Sequence, residues 1–149
     1  GEDEELWAAT GLIHDFDYEQ HPTADEHPLA GVAILEERGW PEEVIEAIKG
    51  HATYLNVPRN TLMAKTLFAV DELTGLVTAC VLVRPDRSIA SLEVKSVRKK
   101  WKDKAFACGV NREDIELGVA ELGVELSAHV GVVIEALKSV ADTLGLAGD

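Results

Sequence analysis

Five polar side chains have the types that metal or acid–base chemistry needs: His14, Asp15, His27, His51 and Asp71. His14 and Asp15 are adjacent. They close a run of small and apolar residues (Ala8, Ala9, Gly11, Leu12, Ile13) that would pack tightly as a helix, so the pair is expected at a partly buried helix end. A buried carboxylate is costly unless it is paired or metal-bound. Asp71 poses the same problem inside the most apolar segment of the chain, and a divalent cation would satisfy Asp15 and Asp71 together. His27 and His51 stand beside expected helix ends, and neutral imidazole is a common ligand for iron, zinc or manganese. Taken singly, each residue has an ordinary explanation. A histidine at a helix end is usually a cap or a surface residue, and an aspartate in an apolar helix is usually hydrogen-bonded or at an edge. His21, beside Pro22, reads as a loop residue, and His129 reads as solvated on the polar side of the final helix.

The elements that must position these residues read as helices. The first runs from Glu2 to about Ile13, with acids in its first turn where the helix dipole favours them. A loop through Tyr18, Pro22, Thr23 and Asp25 follows. A helix from near Pro28 to Arg38 is stopped by Gly39, and Pro41 opens the next, Glu42 to about Gly50. Asn56, Pro58 and Asn60 mark a loop. Thr61 to Val83 is apolar nearly all round and is expected to be the buried central helix. Arg84-Pro85-Asp86 is a turn, Leu92 to Lys104 one basic helix or two short ones, and Arg112 to Leu122 and Ser127 to Leu144 complete the set. Strand-like alternation is scarce, so an all-α, single-domain bundle is expected.

Composition narrows the partners. The chain has 149 residues, 46% of them hydrophobic, enough for one core, and no apolar run long enough to cross a membrane. Its opening Gly-Glu-Asp-Glu-Glu is unlike a secretory signal. Cys80 and Cys108 stand alone, as reduced thiols of a cytoplasmic protein do. The net charge of −13 disfavours general nucleic-acid binding. Within this acidic chain, Arg84 to Lys104 holds eight basic residues against three acidic ones.

The ordered set of polar residues resembles a known family. Gly-Leu-Ile-His14-Asp15-Phe-Asp17-Tyr is similar to the His-Asp motif of the HD superfamily of metal-dependent phosphohydrolases. Glu26-His27-Pro28, Gly50-His51 and Ala69-Val70-Asp71-Glu72-Leu73 follow in the family's order. The segments Val83-Arg84-Pro85, Lys95-Ser96-Val97-Arg98-Lys99-Lys100 and Asp103-Lys104-Ala105-Phe106-Ala107 resemble a bacterial HD-domain hydrolase subgroup. The resemblance covers nearly the whole chain. The family's first ligand is a histidine upstream of His-Asp, and no histidine precedes His14. The chain is therefore expected to lack about 30 residues of a preceding helical arm. That leaves the first metal position open to water, a neighbouring chain or, less readily, His129. An apolar groove uncovered in this way would favour self-association.

The resemblance implies an HD-like helical bundle with one or two divalent ions. Asp15 would be the catalytic, bridging carboxylate. His14 and Asp71 would join it at one ion, and His27 and His51 would hold the other. A hydroxide between the ions would attack the phosphorus of a nucleotide or other phosphate ester. Arg84, Lys95 and Lys99 would meet phosphate oxygens, although a solvated basic helix paired with the acidic remainder explains them as well. Two other readings stay open: a non-catalytic helical module that binds a nucleotide or a protein, and a purely structural helical domain.

Overall fold

A computed structural model describes residues 1–148, whose regular structure is helical as expected. The helices are α1 (Glu4–Ile13), α2 (Leu29–Glu37), α3 (Glu42–His51), α4 (Leu62–Leu82), α5 (Val94–Trp101), α6 (Arg112–Leu122), α7 (Leu126–Ser139) and α8 (Ala141–Leu144). A 3-10 turn at Thr53–Leu55 follows α3, and a lone backbone bridge joins Ser88 to Ala147. Among the described residues, no single helix is long and apolar enough to cross a membrane. The helices gather into two compact units, Gly1–Phe68 and the part from Ala69 onward.

In the first unit, α1 starts at Glu4 because the Asp3 carboxylate accepts the backbone N–H groups of Glu5 and Leu6, each at 3.1 Å. α2 ends at Glu37, and Gly39 just beyond its C-cap Arg38 turns the chain at a φ of +71°, which suits a residue without a side chain. Val32 and Leu35 of α2 pack on Val44, Ile45, Ala47 and Ile48 of α3, with Met63, Ala64 and Leu67 from the start of α4. Leu6, Trp7 and Ile13 of α1 lean on this core. Thr10 enters it by returning its hydroxyl to the Leu6 carbonyl at 2.8 Å. The α4 end of the α3–α4 connection is tied back to α3. Glu46 of α3 accepts Asn60 N–H at 2.8 Å, and the Arg59 guanidinium donates to the Gly50 carbonyl at 2.7 Å while lying 3.8 Å from the Phe68 ring centroid. These ties hold the C-terminal turn of α3, where His51 sits.

The second unit packs Leu73, Leu76, Val77 and Val81 of α4 against Val97, Ile115, Val130, Val133 and Ile134 of α5, α6 and α7. The burial expected of α4 therefore holds. Arg112, at the first position of α6, donates to the carbonyls of Trp101, Asp103 and Phe106 and gathers the loop ahead of it. The single terminal helix expected from Ser127 to Leu144 is two. Val140 leaves helical geometry at φ −123° and ψ 18°, so that Leu146 returns to the core, where its carbonyl accepts Ile89 N–H at 2.8 Å.

Candidate metal centre

Helix ends and one loop of the first unit deliver the candidate ligands. His14 is the C-cap of α1, and its Nδ1 donates to the Gly11 carbonyl at 2.8 Å. The chain then folds through consecutive tight turns, with Tyr18 N–H on the Asp15 carbonyl (3.0 Å) and His21 N–H on that of Asp17 (2.9 Å). His27 lies just ahead of α2. His51 is the last residue of α3, and its Nδ1 donates to the Ile48 carbonyl at 2.5 Å.

Three donor atoms from these places converge. His27 Nε2 and His51 Nε2 are 3.2 Å apart, His51 Nε2 is 3.2 Å from Asp15 Oδ1, and His27 Nε2 is 3.3 Å from the same oxygen. The triangle is nearly equilateral. Metal–nitrogen and metal–oxygen bonds of about 2.0–2.2 Å at tetrahedral angles separate neighbouring donors by about 3.3–3.5 Å. Asp15, His27 and His51 thus have the spacing, as well as the chemistry, of a group that could hold a metal ion. Two imidazoles and one carboxylate suit iron, manganese or zinc better than magnesium or calcium, which prefer all-oxygen shells.

The hydrogen bonds behind the ligands fix the imidazole tautomers. A backbone carbonyl only accepts, so the His14 and His51 Nδ1 atoms carry hydrogens. His27 Nδ1 lies 2.8 Å from the Asp17 carboxylate and is the donor there too. In each neutral ring the Nε2 lone pair then faces the cluster. Lone pairs on His27 and His51 would confront each other and the Asp15 oxygen at little over 3 Å, an arrangement that repels unless positive charge lies among them. Protons on the imidazoles or a bound cation supply that charge. Locking the far nitrogen to a carbonyl or carboxylate is the support that metal-bound histidine usually has.

Burial alone would raise the Asp15 carboxyl, but hydrogen bonds and charge from His14 and His51 outweigh it and hold the group well below the usual carboxylate range. Its Oδ2 lies 3.2 Å from His14 Nε2, so its two oxygens face different imidazoles. The Tyr54 hydroxyl donates to the His27 carbonyl at 2.6 Å. Burial, followed by the negative charges of Asp17 and Asp15, pushes its pKa up and keeps it a donor.

The first unit by itself therefore brings together four expected residues, His14, Asp15, His27 and His51. Asp71 lies on α4 beyond Phe68, in the second unit, and is half-buried. Arg84 and Lys99 line one cleft of the second unit, whereas Lys95 is 81% exposed and pairs with Glu93. His129 corrects an expectation. It is buried, and its Nε2 donates to the Ala69 carbonyl at 3.0 Å, so it is neither solvated nor offering that nitrogen to a metal.

Asp17 is the supporting residue of the cluster that sequence reasoning passed over. It is buried; one oxygen takes His27 and the other accepts Gly31 N–H at 2.8 Å. Gly31 makes this possible, because a Cβ there would come within 2.9 Å of the Asp17 carboxyl carbon. The available signal was a second carboxylate two residues after Asp15, in a loop followed by His27. Comparison of the chain with family models, curated proteins and solved structures finds no match.

Proposed function

We propose that the chain is a divalent-metal-dependent phosphohydrolase acting on a nucleotide or other phosphate ester, with Asp15, His27 and His51 as the core of its metal site. The observation that carries this reading is the triangle of donor atoms at 3.2–3.3 Å, each imidazole fixed from behind by an acceptor. Divalent ions in such a site lower the pKa of water and stabilise the attacking and leaving oxygens of a phosphate ester.

The chain's own residues divide the remaining work. Asp15 would contribute the anionic ligand, with Oδ1 toward His27 and His51 and Oδ2 toward His14. His27 and His51 contribute neutral donors that favour a transition metal. Asp17 holds the His27 ring in the tautomer a metal needs. The HD-type motif around His14-Asp15 supports phosphoryl rather than other metal chemistry, and it assigns Asp71 as a further ligand.

The test is hydrolysis of bis(p-nitrophenyl) phosphate and a panel of nucleotides by the chain after loading with manganese, iron or zinc. Turnover above that of the free ions, stopped by chelator and lost in Asp15→Ala, is expected. Reduced metal stoichiometry in Asp71→Ala would support its assignment. Metal retention without turnover under any loading would end the hydrolase reading and leave a metal-binding helical module.

A further inference from the structure

The second unit carries a cleft of about 420 Å³ beside the C-terminal end of α4 and the exposed side of α5. That volume lies within the range of small-molecule sites, about 300–1,000 Å³. Arg84, Lys99 and Lys100 line it against one acid, Asp103, while Cys80, Val83 and Leu92 give it an apolar floor.

Its three cations are arranged differently. Arg84 is anchored: Nε donates to Asp86 Oδ1 at 3.1 Å, and Nη2 reaches both Asp86 Oδ2 at 3.3 Å and Ser91 Oγ at 2.5 Å. Those bonds fix the guanidinium plane and leave Nη1 as its directed donor. Lys100 Nζ rests 4.6 Å from the Phe106 ring centroid, and Lys99 makes no salt bridge among the described residues. Lys95, on the same helix, is committed to Glu93 outside the cleft. The chain's net charge of −13 opposes an extended polyanion, whereas the excess of basic residues from Arg84 to Lys104, eight against three acidic, attracts a small anion locally.

We infer that this cleft binds the phosphate group of a small phosphorylated molecule, with Lys99 and Lys100 as point charges and Arg84 Nη1 as the oriented donor. The inference concerns a different set of residues from the metal site and stands without it.

The probes are inorganic phosphate and adenosine monophosphate, titrated with excess chelator into the isotope-labelled chain and followed by amide chemical shifts. Saturable shifts centred on residues 83–85 and 96–100 are expected with either probe. Lys99→Gln combined with Lys100→Gln should weaken binding by roughly tenfold to a hundredfold, as loss of charge-assisted hydrogen bonds does. Lys95→Gln should bind as the unaltered chain does, and unchanged circular dichroism would show that the double variant folds. No saturable shift with either probe, or equal weakening by Lys95→Gln and the double variant, would overturn the inference. Because chelator is present throughout, that failure would leave the metal reading untouched, and loss of metal binding would leave this one untouched.

Discussion

Asp17→Asn separates a structural from a positioning role at the candidate metal site. Asp17 is 4% exposed, and each of its oxygens accepts one N–H at 2.8 Å, from His27 Nδ1 and from Gly31. Asparagine keeps one acceptor and turns the other position into a donor. Whichever way it lies, an N–H group meets an N–H group unless the His27 ring changes tautomer. If its oxygen keeps Gly31, the His27 ring must accept at Nδ1 and carry its hydrogen on Nε2, toward Asp15 and His51, where a metal would need the lone pair. Leaving a buried donor unpaired costs about 1–3 kcal/mol, a fall of several degrees in Tm for a chain of this size. Loss of such support behind a metal-bound histidine typically weakens binding about 10–100-fold, or roughly 1.4–2.7 kcal/mol. Two assays read these effects independently: thermal melts with chelator give the stability change, and competition with a chromophoric chelator gives metal affinity. Both are expected to fall. A lower Tm with unaltered metal affinity would refute the reasoning, because Asp17 would then merely cap the start of α2.

Metal binding displaces protons from imidazole, so occupancy should fall as pH is lowered, as equilibrium dialysis would show; retention independent of pH would mean that His27 and His51 are not ligands. Gly118→Ala should destabilise by about 1–3 kcal/mol, measured by urea unfolding, because a Cβ there would lie 2.8 Å from the Ala69 Cα across the α4–α6 crossing. Burial pushes the Cys80 thiol pKa up and covers the sulfur, whereas Cys108 is exposed. Iodoacetamide should therefore modify one thiol in the native chain and two after denaturation, counted by mass spectrometry.

Much of the fold was legible because its signals are local. α6 runs from Arg112 to Leu122 as expected, since Asn111 caps its start and Gly123 takes the left-handed turn at its end. α1 starts two residues later than expected because Asp3, rather than the acids around it, makes the cap. The break at Val140 was not legible, since it answers to the return of Leu146 against Ile89, a tertiary demand without a nearby breaker residue. His129 carried a signal that was misread. It stands four residues before Val133 and eight before Leu137, on the same buried stripe of α7, and only its distant acceptor, the Ala69 carbonyl, was invisible. The convergence of Asp15, His27 and His51 was anticipated from residue type and position. Asp17 was not, because a loop built of tight turns has no periodicity from which to read a side chain's direction. The basic segment divides in three dimensions: Lys99 lines the cleft and Lys95 is turned away to Glu93, a distinction that helical spacing alone did not make.

The most direct test is calorimetric titration of chelator-stripped chain with manganese and with zinc, beside Asp15→Ala and His51→Ala. The unaltered chain should bind at least one equivalent saturably, and each variant should lose that binding while keeping its helical circular dichroism. Absence of saturable binding, or binding equally strong in both variants, would contradict the claim that these side chains form a cation site.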